Sequence, residues 1–142
     1  MPLTAHPLEQ GRLVDAWTLP VAPGWIREDK SLSGRYPHRL TATGSDASIL
    51  AFRFTGDAVG LYWQIAPDSG VIEWSVDNGP WKRTSAWDTY ALKFTRANYV
   101  LLNDALTPGS HELHIRVAAD HHPQSTGNSI RIGALLVNGV PQ

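Results

Sequence analysis

The chain has 142 residues, no cysteine, and 13 acidic against 12 basic side chains, for a formal net charge of −1. A length of this order makes one domain, which buries roughly 70% of its unfolded surface and needs no covalent staple. The absence of cysteine excludes a disulfide framework and a thiolate metal site, and the near-neutral charge gives no electrostatic case for nucleic acid or an anionic membrane as partner. No apolar run approaches a membrane span, and MPLTAHPLEQ lacks a basic-then-apolar leader pattern. The expected setting is therefore the cytosol, a mature form, or a domain of something longer.

Met1–Gly11 reads as a tail and residues 12–142 as one domain. Arg12–Leu19 reads as a first strand, Val21–Lys30 as a loop carrying Trp25, and Ser31–Pro37 as irregular and polar. Ser48–Thr55 alternates, with Leu50, Phe52 and Phe54 on one face and Ala51 and Arg53 on the other. Thr55-Gly56-Asp57 turns the chain into Ala58–Ile65, where Val59, Leu61, Trp63 and Ile65 point inward and Gly60, Tyr62 and Gln64 outward. Pro67–Gly70 is a turn, and after it Ile72, Trp74 and Val76 share a face opposite Glu73, Ser75 and Asp77. Asp77–Pro80 is a second turn, built from residues that cap locally or accept positive φ. Arg83–Asn98 has the weakest pattern and carries Trp87 and Tyr90; Tyr99–Leu102 reads as a short strand. Within Leu106–Val117, His111, Leu113, Ile115 and Val117 oppose Glu112, His114 and Arg116. Ile130–Val137 is apolar almost throughout, as in a central strand covered on both faces. Short strands at this spacing, with no competing helix, predict an all-β antiparallel sandwich of jelly-roll type.

A longer pattern runs through these elements. Phe54, Gly56, Ala58-Val59-Gly60, Pro67–Gly70, Ile72-Glu73, Asp77, Gly79–Trp81, Leu106, Pro108-Gly109, His111, Leu113, Ile115–Val117, Pro123, Ser125, Gly127 and Arg131-Ile132 carry it. Together they resemble the accessory β-sandwich domain of bacterial SGNH/GDSL hydrolases, secreted esterases of which many act on acetylated plant polysaccharides. The resemblance spans about Gly11 to Gly139 and departs from the family at Asn78, where Gly is commoner, and at the variable loop Arg96–Tyr99. It implies a jelly roll in a carbohydrate-esterase context, a secreted or periplasmic setting within a larger protein, and an SGNH catalytic domain as neighbour. It does not imply an active site. The nucleophile of such hydrolases is a Ser directly after Gly-Asp, and their base pairs an Asp with a His three residues on. Here Gly56-Asp57 precedes Ala58, and Asp120-His121-His122 puts Pro123 at the required position.

Other chemistry is weaker. His111 and His114 are three apart on a strand and point to opposite faces, so they share no ligand sphere; His111 reads as a structural histidine. Asp120-His121-His122 reads as a solvated loop, though adjacent imidazoles suit a soft divalent metal. Acid pairs drawn from Glu73, Asp77, Asp88 and Glu112 are the raw material of glycoside hydrolysis, but any domain with this many acids offers such pairs. Turns such as Asp68–Gly70 and Asp77–Gly79 supply oxygen ligands of the kind a structural calcium ion takes, without EF-hand spacing.

Aromatics are the better signal among six tryptophans. Trp63 and Trp74 fall in phase with aliphatic neighbours and read as core, as does Trp17. Trp25, Trp81, Trp87 and Tyr90 lie out of phase or in loops, where packing gives them no reason to be. An indole suits the C–H face of a sugar. Burying about 60–80 Å² at ~25 cal/mol/Å² stabilises by roughly 1.5–2 kcal/mol per ring, which for two or three rings suggests a Kd on the order of 0.01–1 mM. The leading expectation is a non-catalytic module that tethers a plant-type polysaccharide, with Trp81, Trp87 and Tyr90 stacking, Trp25 nearby and Asp88 orienting. A second candidate surface is a sheet face made by Arg53, Tyr62, Gln64, Glu73, His114 and Arg131, if their strands are neighbours. Two other readings stand beside it: a domain that packs on a catalytic SGNH partner without binding sugar, and a small metal-dependent or glycan-cleaving enzyme.

Overall fold

Wherever the sequence alternates, the backbone is extended. The computed structural model describes residues 11–15, 18–19, 21–29, 38–44 and 46–138. Trp17, Ser31–Pro37 and all but the last residue of the tail lie outside them. Among the described residues there are ten strands: β1 (Gly11–Asp15), β2 (Ile26–Glu28), β3 (Arg39–Ala42), β4 (Leu50–Thr55), β5 (Ala58–Ile65), β6 (Val71–Val76), β7 (Lys82–Ser85), β8 (Arg96–Asn103), β9 (Ser110–Val117) and β10 (Ile130–Asn138). The first strand thus ends four residues before the expected Leu19. The loop expected at Val21–Lys30 contains β2, and β8 extends the expected Tyr99–Leu102 at both ends.

The strands form two antiparallel sheets packed as a jelly-roll sandwich. One runs β2-β3-β10-β5-β8, with β1 also on β10; the other runs β4-β9-β6-β7. β10 is central: β3 and β1 share one of its edges and β5 takes the other. This accounts for its unbroken apolar run. The register shifts between Ile132 and Ala134, and the shift reverses the parity of the strand. Ile130 and Ile132 therefore face the core before it, and Leu135 and Val137 after it. Phe52, Leu61, Ile72, Leu113 and Ile115 complete the fully buried layer between the sheets. Gly60 in β5 allows β8 to lie close, since a Cβ there would sit 2.2 Å from the Val100 carbonyl oxygen.

At one end, here the lower, lie the turns after β4 and β6 and the loop before β9. Asp77 and Asn78 have φ of 54° and 59°, and Gly79 N–H donates to the Val76 carbonyl. This is the type I′ turn that right-twisted hairpins favour, and the left-handed φ at Asn78 is one that Gly or Asn adopts readily.

At the upper end the loops 66–70 and 118–129 interlock. Ser129 N–H donates to Asp68, Gly70 N–H to Ser129, and Thr126 N–H to Pro67. The buried Ser125 hydroxyl donates to the Ser69 carbonyl at 2.7 Å. The two most distinctive pieces of the sequence pattern, Pro67–Gly70 and Pro123–Gly127, therefore grip each other, and this fixes the base of a surface groove.

Candidate functional site

The tryptophans sort differently from the expectation. Trp25 and Trp87 are only 4% and 5% exposed and belong to the core. They cover the core at the upper end of the sandwich from the loops before β2 and after β7. Trp25 Nε1–H donates to the Ser48 carbonyl at 2.8 Å. Trp87 stacks on His122 with centroids 4.2 Å apart. Neither presents a free face to a sugar, which corrects the reading of both as loop platforms without a packing role.

The proposed sheet face also divides. Arg53 lies on β4, Glu73 on β6 and His114 on β9, all in the four-stranded sheet. Tyr62 and Gln64 lie on β5 and Arg131 on β10, in the other. The strands that would make one surface of these six residues are not neighbours, so they form two surfaces on opposite sides of the molecule. On the four-stranded side a charge ladder crosses the strands. Arg116 pairs with Glu73 at 2.9 Å, Glu73 with Arg83 at 3.3 Å, and Arg83 with Asp120 at 2.8 Å. Trp81, 37% exposed, carries the Arg116 guanidinium 3.9 Å from its ring centroid. His114 contacts Glu112 at 3.2 Å.

On the other side, at the upper corner, the remaining residues converge. A groove of about 390 Å³ is lined by Arg39, Gln64, Ala66, Pro67, Asp68, Thr95 and Arg131. Arg131 makes a bidentate pair with Asp68, at 2.9 and 2.8 Å. Its hydrogen bond holds the Asp68 carboxyl below the usual carboxylate range, burial opposing. Arg39 pairs with Glu28 at 2.9 Å and donates to the Gln64 side chain at 3.2 Å. Tyr62 is buried against Tyr99, centroids 4.8 Å apart, and offers no open face.

Thr95 joins this groove to a cluster of the rings before it, Tyr90 and Phe94, and the arginine after it, Arg96. A 3-10 turn, Thr89–Leu92, starts at Asp88, whose carboxylate accepts from Tyr90 N–H at 3.0 Å. Asp88 also pairs with the Arg96 guanidinium, which holds its carboxyl low. Arg96 in turn lies 5.7 Å from the ring centroids of both Tyr90 and Phe94. Those rings are 6.4 Å apart and respectively 62% and 50% exposed. Of the residues expected from sequence, Tyr90, Asp88, Gln64 and Arg131 meet at this corner. Asp68, Arg39, Phe94 and Arg96 complete it. Phe94 had a signal, as an aromatic one helical turn after Tyr90; the arginines had none.

The other chemistry does not assemble. His111 and His114 point to opposite faces of β9. His121 approaches the His122 carbonyl, while His122 Nδ1 accepts from Gln124 N–H. Among the described residues no three His, Asp or Glu side chains are grouped to hold a metal ion. The turns considered for calcium do not fit it either: Asp68 is committed to Arg131, and Asp77 to His111 and the Glu112 N–H. Gly56-Asp57 is a tight lower turn, with Asp57 accepting from the Asn138 side chain at 2.9 Å.

No family model matches the chain, and no curated protein matches it in sequence. Solved structures do match. A two-domain esterase active on acetylated mannans, crystallised with mannopentaose, superposes over 100% of this chain with a TM-score of 0.77 at 12% identity. This chain spans 40% of that protein's length. A family two carbohydrate esterase from Cellvibrio japonicus matches over 92% of this chain and 34% of its own, with a TM-score of 0.62 and 13% identity. A family 35 carbohydrate binding module from Clostridium thermocellum covers 89% of this chain and 98% of its own length, with a TM-score of 0.57 and 14% identity. The shared property is the fold. The chain has the β-sandwich of a carbohydrate-binding module and of a domain found within carbohydrate esterases.

Proposed function

We propose that this domain is a non-catalytic glycan-binding module that holds a polysaccharide near a partner esterase domain of the SGNH type, in a secreted protein. The observation that carries the reading is the upper corner, where two exposed rings, Tyr90 and Phe94, flank a polar groove built on Arg131 and Asp68. Aromatic faces beside a few convergent hydrogen-bonding groups are what a sugar site needs. Titration of the protein with soluble polysaccharides and their oligomers tests it. A Kd on the order of 0.01–1 mM is expected. Tyr90→Ala with Phe94→Ala should weaken it at least about tenfold, while Trp81→Ala on the opposite side leaves it unchanged. Binding lost through Trp81 instead would move the site to the charge ladder.

A second reading has its own observation. Leu92, Tyr99 and Leu101 extend the exposed apolar side chains along the β8 side, where β8 is the edge strand. Contiguous apolar surface of this kind suits a domain contact. A partner domain added in trans that masks Tyr99 and Leu101 without altering glycan affinity would support this contact.

A further inference from the structure

We infer that the upper-corner groove selects neutral glycans and rejects chains bearing uronic acids. The inference rests on the glycan-binding reading and adds its substrate class.

The argument is one of charge balance. Each arginine at this corner already has a carboxylate: Arg39 has Glu28, Arg131 has Asp68, and Arg96 has Asp88. Among the described residues that line the groove, both cations, Arg39 and Arg131, are thus paired. A uronate entering it lies beside the Asp68 carboxylate in either case, whether it uses the donors that Arg131 has left or takes the guanidinium from Asp68 by exchange. The exchange gains about one charge-assisted pair and loses another, and adds repulsion between like charges. In the standing pair the Arg131 hydrogen bond holds the Asp68 carboxyl low, so a uronate arrives at a group that is already charged.

Neutral sugars meet no such conflict. After a bidentate pairing, a guanidinium keeps further N–H donors and a carboxylate further lone pairs. Adjacent hydroxyls are donors and acceptors at once, so a vicinal diol spans the pair without breaking it. The Gln64 amide, already an acceptor for Arg39, keeps its own N–H donors for the same ligand. Arg131 is the more shielded partner, with its side chain 17% exposed against 38% for Asp68, so the carboxylate meets the sugar first. Hydroxyl donation to Asp68 is then the leading contact.

Titration calorimetry with mannopentaose, β-1,3-galactotriose, and oligogalacturonates of the same lengths tests this. At least one neutral oligomer should bind at least about tenfold more tightly than the acidic oligomer of its length. Its affinity should hold within about twofold between ~20 mM and ~500 mM salt, since no net charge is neutralised. Asp68→Asn, which releases Arg131, should narrow or reverse the preference. If that variant unfolds, Glu28→Gln, which releases Arg39, makes the same test. Acidic oligomers bound as tightly as neutral ones, through Tyr90 and Phe94, would keep the glycan site and overturn the selectivity. Binding of neither class would overturn the site itself.

Discussion

His111 and Asp77, 34 positions apart, meet at the lower end of the sandwich with His111 Nδ1 2.5 Å from Asp77 Oδ2. The other ring nitrogen, Nε2, faces the Thr107 carbonyl at 2.5 Å. Both partners are acceptors, so the ring satisfies both only as an imidazolium. Phe54 packs beside it, centroids 5.6 Å apart. The hydrogen bond that the ring donates to Asp77 raises the His111 pKa above 6.5, with the one to Thr107 adding to it. The same bond holds Asp77 below 3.8.

The signs give a window. His111, with its folded value raised, contributes fully below 6.5 and loses its contribution as the pH climbs through the raised value. Asp77, with its folded value lowered, contributes fully above 3.8 and loses its contribution as the pH falls through the lowered value. The link is therefore complete between those two limits. Arg53 and Glu112, which line the adjoining cavity, oppose one another across β4 and β9. Urea denaturation should show stability falling by on the order of 1 kcal/mol from mildly acidic to alkaline pH, the pair being partly solvated. His111→Gln should flatten the alkaline fall. An alkaline limb that survives the substitution would assign it to another group.

Trp87 and Tyr90 lie three residues apart and have opposite expected outcomes. Trp87 is core, so Trp87→Ala should cost about 3–5 kcal/mol. Its Nε1, however, is buried without a hydrogen-bond partner. Trp87→Phe removes that donor and keeps an aromatic ring, so the cost should stay below about 1 kcal/mol. Tyr90→Ala, on the surface, should stay within about 0.5 kcal/mol while weakening glycan binding. Thermal melts of the three variants, beside oligosaccharide titration, separate the roles.

These two residues also mark how far the sequence could be read. The inward faces of β4 and β9 were legible because burial follows the strand period there; β5 and β6 are covered on both faces, so Gly60, Tyr62 and Ser75, expected outward, are buried as well. The strands β2, β3 and β7 were not. β2 has only three residues and β7, Lys-Arg-Thr-Ser, is an exposed polar edge. A loop tryptophan carries no period, so nothing local says that Trp25 and Trp87 close the open end of a sandwich while Tyr90 does not. The groove depends on partners distant in sequence: Arg131 reaches Asp68 across 63 residues, and strand neighbourhood is a property of topology. The spacing of Asp68 from Arg131 in sequence therefore gives no sign that they form a pair.

Ser125 ties the two upper loops together and should be costly to remove. Its hydroxyl donates to Ser69, and its oxygen lies 3.4 Å from the Gly127 N–H. Ser125→Ala strands the buried Ser69 carbonyl and should cost about 1–3 kcal/mol. Gly70→Ala should do more to the groove: its Cβ would lie 2.8 Å from Asn128 Cα, so the loop carrying Asp68 must shift. The expected result is reduced oligosaccharide affinity with a cooperative melt retained. Unchanged affinity in a folded Gly70→Ala protein would argue that Asp68 takes no part in binding.

Asp88 separates positioning from contact. Its carboxylate caps the 3-10 turn through Tyr90 N–H and also engages Arg96, so one residue both places the aromatic pair and neutralises the arginine beside it. Asn is as good a cap as Asp, whereas Ala costs about 1 kcal/mol. If Asp88 acts by placing the rings, Asp88→Asn should retain neutral-glycan affinity within about threefold and Asp88→Ala should lose about three- to tenfold. The Asn variant also uncovers the Arg96 charge, so it should gain affinity for oligogalacturonate that falls with added salt. Equal losses in both variants, with no gain for the acidic oligomer, would instead make Asp88 a direct acceptor of sugar hydroxyls, because only the full carboxylate would then suffice.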